Sequence, residues 1–145
     1  MKTHLKIPTE FLKIPYDFDR HPQSAEFDFK KGANCQLFAY AVLRHFGVIV
    51  PPFRSSQLWE DEEHTQVVKV KELEPLDLLL VNDTNNSWGA HVAVYLGDDM
   101  VIHLSKKNGG PSICPLNELR LEPKYKVFIG AKRIKTPNKA DAGDA

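Results

Sequence analysis

Only one stretch of this chain carries a long helical period, and every apolar run after it is short and strand-like. Between Asn34 and Phe46, residues 35, 38, 39, 42 and 46 fall on one face at 3.6 residues per turn. Asn34 stands where an N-cap belongs, and Gly47 where a glycine ends a helix. Pro51-Pro52 then stops the chain, and Ser55 to His64 reads as a short polar helix or loop. Beyond it, Gln66–Val70, Leu76–Val81, His91–Leu96, Met100–Leu104 and Tyr125–Arg133 are short runs of Val, Ile, Leu and aromatics. Turn-forming residues separate them at Asn82–Ser87, Gly97–Asp99 and Asn108–Pro111. One helix followed by antiparallel strands predicts an α+β domain with the helix packed on the sheet.

The rest of the composition narrows the class. At 145 residues the chain has the size of one domain, and 42% hydrophobic residues supply a core. Nineteen Lys and Arg balance nineteen Asp and Glu, so the basic excess of a nucleic-acid binder is missing. No apolar run approaches the ~18–20 residues that span a bilayer. The first residues, Met1 to Pro8, lack the apolar core of a signal peptide. A cytoplasmic protein, or one delivered outside by a non-classical route, is the expectation. Two cysteines, Cys35 and Cys114, then read as free thiols rather than a disulfide. Residues 1–30 are irregular, broken by Pro8, Pro15 and Pro22. Their Phe11, Tyr16, Phe27 and Phe29 predict a segment packed on the body of a single domain spanning 1–135. Residues 136–145 contain nothing larger than Ala among their apolar side chains after Thr136 and read as a disordered tail.

Chemistry points first to Cys35, at the first turn of the helix. Orphan backbone N–H groups and the positive end of the helix dipole there favour a thiolate and predict a lowered pKa. The competing reading is a small buried core side chain. Trp88 to Ser105 reads as a hairpin. A three-residue loop, Gly97-Asp98-Asp99, sets Leu96 opposite Met100 and Ala93 opposite His103, which makes His91 and His103 diagonal neighbours on one face. A loop of two or four residues would put them on opposite faces. A second imidazole can fix the tautomer of the first, so Cys35, His91 and His103 form the layout of a thiol hydrolase: nucleophile, base and orienting residue. Cys114 with these three would make a Cys₂His₂ zinc set, but no local CxxC or HxxxH pair supports it. No metal or cofactor is expected.

From Asn34 to about Ser112 the sequence resembles the NlpC-type cysteine peptidases, papain-like enzymes that cut the peptide stems of bacterial cell walls. Asn34-Cys35 opens an amphipathic helix, followed by Gly47-Val48-Ile49-Val50-Pro51 and Arg54-Ser55-Ser56-Gln57. Leu73-Glu74-Pro75-Leu76-Asp77-Leu78-Leu79 leads into a strand, and His91-Val92-Ala93-Val94-Tyr95-Leu96-Gly97 with Val101-Ile102-His103 completes the match. The resemblance implies a papain-like NlpC-type domain, with Cys35 as nucleophile, His91 as general base and His103 as third, orienting residue. It also implies an oxyanion hole made by the cysteine's own N–H and an upstream tyrosine, for which Tyr16 is the nominee. The family's usual Asp-Cys-Ser-Gly is Asn34-Cys35-Gln36-Leu37 here, and its Pro-Gly-Asp is Pro75-Leu76-Asp77.

Three further residues are candidates for substrate contact: Arg54 and Ser55 for an anionic stem peptide, and Trp88 at the entrance to the His91 strand. Trp59 and Tyr40 could line a substrate groove, although such aromatics more often simply pack. The expected activity is hydrolysis of an amide in a peptide or murein fragment through a thioacyl-enzyme, with neither nucleic acid nor membrane as partner. A binding or assembly module that has lost catalysis, and a thiol acyltransferase on the same scaffold, are the alternatives.

Overall fold

The computed structural model describes residues 4–24, 31–107 and 109–135. Helix α1 (Cys35–His45) forms where the period predicts it. The backbone of Asn34 is extended, and its side chain accepts the N–H of Leu37 at 2.8 Å. At the other end Gly47, at φ 88°, turns the chain so that its N–H reaches the Arg44 carbonyl and the N–H of Val48 reaches that of Leu43. The single apolar face expected for this helix is too narrow a description. Every residue from Gln36 to Leu43 is buried, because the sheet covers one side and residues 4–16 cover more of it. Phe11 and Ile14 enter the same core as Phe38, with the Phe11 and Phe38 rings edge-on at 6.3 Å. The N–H of Leu5 donates to the Leu96 carbonyl. Phe27 and Phe29, and the tail 136–145, lie outside the described residues.

The sheet has six strands: β1 (Thr65–Val68), β2 (Leu78–Asn82), β3 (His91–Gly97), β4 (Met100–Leu104), β5 (Pro111–Pro115) and β6 (Val127–Ile134). Their order is β1-β6-β2-β3-β4-β5, and each neighbouring pair is antiparallel. Short helices α2 (Ser55–Glu60) and α3 (Leu116–Leu119) complete the α+β pattern. Helix α1 packs on β3 and β4. Several sequence boundaries move: the run expected at Gln66–Val70 is strand only over Thr65–Val68, and Val70 opens a 3-10 turn. Leu76 belongs to a turn before β2, where the N–H of Asp77 meets the Glu74 carbonyl, and Tyr125 ends a 3-10 turn (Pro123–Tyr125) before β6. β5 was hidden by its proline at each end. Among the described residues it pairs only with β4, and such an edge strand is where missing N–H groups are tolerated.

The β3–β4 hairpin reaches the register deduced from the sequence by another route. The loop holds two residues, Asp98 and Asp99, both at positive φ (51° and 61°), with Gly97 opposite Met100. A two-residue loop alone would put the histidines on opposite faces. The ladder, however, slips by one residue between Tyr95 and Gly97, so Tyr95 faces Val101 and Val94 faces Ile102. The bulge supplies the odd residue that the longer loop would have given.

Candidate active site

Side-chain alternation divides β3 and β4 into two faces. Val92, Val94, Leu96, Ile102 and Leu104 join the core beneath α1, whereas Ala93, Tyr95 and Val101 belong to the cluster on the opposite face. His91 and His103 project on this second face and are nearly buried, at 8% and 4% exposure. Nε2 of His91 lies 2.9 Å from Nδ1 of His103, with the rings perpendicular. The outer nitrogen of His103, Nε2, lies 3.1 Å from the hydroxyl of Ser112. Ser112 is the register partner of His103 on β5, which sets the two side chains on one face.

Cys35 stands at the start of α1, which packs on β3 and β4 from the side of Val92 and Val94. The β3–β4 ladder ends at Val94 and Ile102. Two residues further on, the backbone N–H of Val92, next to His91, is directed at the Cys35 sulfur, as are the N–H groups of Gln36 and of Cys35 itself. These donors and the Arg54 guanidinium pull the thiol pKa down, as a helix start should. Burial is the larger influence and leaves it raised, which reverses the lowering expected from helix position alone. Burial also pushes His91 well below the usual imidazole value, with His103 adding to it, and lowers His103 to about 4.

Tyr125, which the sequence pattern places only at the start of a strand, lies against both histidines. Its ring stacks on His91, centroids 4.2 Å apart and planes 16° off parallel, and meets His103 edge-on. Its hydroxyl pairs with Ser105, and burial raises its pKa to about 12. No local pattern signals this, since the residue sits in a one-turn 3-10 segment far along the chain from either histidine. Tyr125, His103, Ser105 and Ser112 share the wall of a cavity of about 350 Å³.

The remaining nominees are spread around this centre. Tyr16 forms a parallel bridge with Ala33, two residues before Cys35, and its hydroxyl is close enough to feel the charges of Cys35 and Arg54. Arg54 precedes α2, its N–H held by the Gln57 side chain at 2.8 Å. Ser55, expected beside it at the substrate, is only 2% exposed and packs inward at the start of α2. Trp88 is 75% exposed. Tyr40 and Trp59 are packing residues: the Tyr40 hydroxyl donates to the Phe53 carbonyl, and Trp59 lies against Gly130 with the buried Lys132 ammonium over its ring. Gln36 and Leu37, which stand in place of the family's Ser-Gly, are both buried. Cys114 lies on β5 opposite Val101. Among the described residues no group of three or more His, Cys, Asp or Glu could hold a metal ion, and no helix is long and apolar enough to cross a membrane.

A thiol at a helix start beside a histidine-bearing antiparallel sheet defines a papain-like class of domain, and the comparisons place it more narrowly. The chain matches the NlpC/P60 family over residues 14–129, and it belongs to that family. A crystal structure of an NlpC/P60 family protein from Bacillus cereus ATCC 10987 superposes with a TM-score of 0.61 at 24% identity, covering 85% of this chain and 36% of that one. The P60 domain of the M. avium subspecies paratuberculosis antigen MAP1204 gives a TM-score of 0.50 at 18% identity, covering 84% of this chain and 86% of that domain. At these identities the likeness is one of fold. No curated protein matches the chain. Members of the family are in general cell-wall cysteine peptidases, hence hydrolases.

Proposed function

We propose that this chain is a cysteine peptidase or amidase that hydrolyses an amide in a murein-type stem peptide, with Cys35, His91 and His103 as its triad. The observation that carries the reading is the 2.9 Å contact between His91 and His103 at the strand position next to the N–H that serves the Cys35 sulfur. With Nε2 of His91 engaged by His103, its Nδ1 is the nitrogen left for the thiol. The Cys35 sulfur attacks the amide carbonyl carbon as its proton passes to His91. The developing oxyanion accepts from the Cys35 backbone N–H and the Tyr16 hydroxyl. His91 returns the proton to the departing amine, leaving a thioester. Water, deprotonated by His91, then attacks the thioester carbon and releases the acid and the free thiol. Arg54 and Trp88 serve the substrate at the rim, Arg54 with a cation for a stem carboxylate and Trp88 with an apolar face.

Incubation with stem peptides of three to five residues, followed by mass spectrometry, tests this. Wild-type protein should yield two fragments, one with a new carboxylate, and Cys35→Ala should yield none while melting within about a degree of wild type. No cleavage by folded wild-type protein, or equal cleavage by Cys35→Ala, overturns the reading. A product carrying an added amine instead of water marks an acyltransferase.

A further inference from the structure

We propose that Ser112 is a fourth, positioning residue of this site, whose hydroxyl accepts the Nε2–H of His103 and so fixes the tautomers of both histidines. The proposal rests on the triad reading above and extends it by one residue. His91 must carry a proton on Nε2 in each state that the reaction uses. As a neutral base it needs Nδ1 bare for the thiol proton, and as imidazolium it carries protons on both nitrogens. Nδ1 of His103, 2.9 Å away, must therefore be an acceptor throughout. His103 is 4% exposed, and burial holds its pKa near 4, so at neutral pH it has a single ring proton. That proton then belongs on Nε2, where the Ser112 oxygen lies at 3.1 Å.

A hydroxyl can take either role, so Ser112 would serve equally as donor if the chain of bonds ran the other way. The reverse polarity puts a proton on Nδ1 of His103 and on Nδ1 of His91, and the thiol then faces a nitrogen that cannot accept. What favours the productive direction is the setting of Ser112. Ser112 lines the cavity of about 350 Å³ shared with Ser105 and Tyr125, which gives its O–H somewhere to turn other than toward His103. The β4–β5 register holds that oxygen opposite the ring. Without it, Nε2–H of His103 would be a nearly buried donor lacking this partner, and the tautomer preference would fall.

The experiment is a long-range proton–nitrogen correlation spectrum of the histidine rings at pH 7.5, recorded for the full chain as wild type, Ser112→Ala and Ser112→Thr, with stem-peptide hydrolysis measured alongside. Wild type should show His103 and His91 both protonated on Nε2. Ser112→Ala should show His103 as a mixture of tautomers, with kcat about tenfold lower and KM unchanged, roughly what one lost hydrogen bond supplies. Ser112→Thr, which keeps the hydroxyl, should restore both readouts. A wild-type His103 protonated on Nδ1, or an unchanged tautomer in Ser112→Ala, overturns the proposal. Should Ser112→Ala fail to fold, the wild-type and Ser112→Thr spectra decide it. Correct tautomers in a protein that cleaves no amide would sink the peptidase reading and leave the role of Ser112 intact.

Discussion

Burial moves Cys35 and His91 in opposite directions, and both movements disfavour charge. The thiol is raised and the imidazole lowered. The pair therefore rests as neutral thiol and neutral imidazole, and the proton moves when the sulfur attacks. Alkylation by iodoacetamide, with Cys114→Ser as background, should be slow at pH 6 and climb only above the ordinary thiol range near 8.5. His91→Ala should slow it further at pH 8 by removing the base. A fast plateau already present at pH 6 would mean a preformed ion pair and refute the neutral resting state. What the sequence disclosed at this scale follows from locality. Cys35 is legible because its cap and its closing glycine are written within fourteen residues, and His91 and His103 because one hairpin carries both. Ser112 and Tyr125 come from segments whose approach depends on the whole sheet, and nothing near them in sequence announces a partner.

Among the elements, the turn before β2 shows where this chain departs from its family in a physically costly way. Glu74 to Asp77 closes with the Asp77 N–H on the Glu74 carbonyl, and Leu76 occupies its third position at φ 80°. That position asks for glycine, which the family's Pro-Gly-Asp provides. A left-handed conformation costs a side-chain-bearing residue about 1–2 kcal/mol. The turn is nonetheless held from both sides. Buried Asp77 accepts two bonds from Arg133 and one from the Glu74 N–H, and the N–H of Leu76 reaches the Tyr95 carbonyl on β3. Leu76→Gly should therefore be nearly neutral in stability, strain relief of about 1–2 kcal/mol offsetting lost packing and glycine's added chain entropy. Leu76→Val should be destabilising by about 1–2 kcal/mol, because a β-branched side chain fits this region worse still. Thermal melts of the pair give the check: if Val is tolerated as well as Gly, the turn is not strained. In the hairpin, a bulge rather than a three-residue loop sets His91 and His103 on one face. Gly97-Asp98-Asp99 signals a loop in the sequence, but whether the odd residue lies in the loop or in a bulge is settled by which N–H groups find partners.

For the molecule as a whole, the site is also a pH-dependent part of the stability. The two histidines sit where α1, the sheet and the turn bearing Tyr125 converge, and unfolding frees all of them together. In the unfolded chain each takes up a proton near pH 6.5. In the fold, burial holds His103 near 4 and His91 well below its usual value. A depressed folded pKa means stability that is present above pH 6.5 and lost as the pH falls toward 4, since the unfolded state then binds more protons. The slope starts at half of about 1.4 kcal/mol per pH unit for each histidine at pH 6.5 and approaches the full value below it, so lowering the pH from 6.5 to 5 removes about 3 kcal/mol, a substantial part of the 5–15 kcal/mol typical of a domain. Asp61 adds little in this window. Its carboxyl, held low by the His64 N–H and by Thr65, stays ionised well beneath it. Chemical denaturation at pH 7 and at pH 5 should therefore show a marked loss for wild type. His91→Asn/His103→Asn should lose much less between the two, whatever its starting stability. Equal stability of wild type at both pH values would mean that the histidines take up protons in the fold as readily as in the unfolded chain, and the neutrality that burial imposes on them below pH 6.5 would fall.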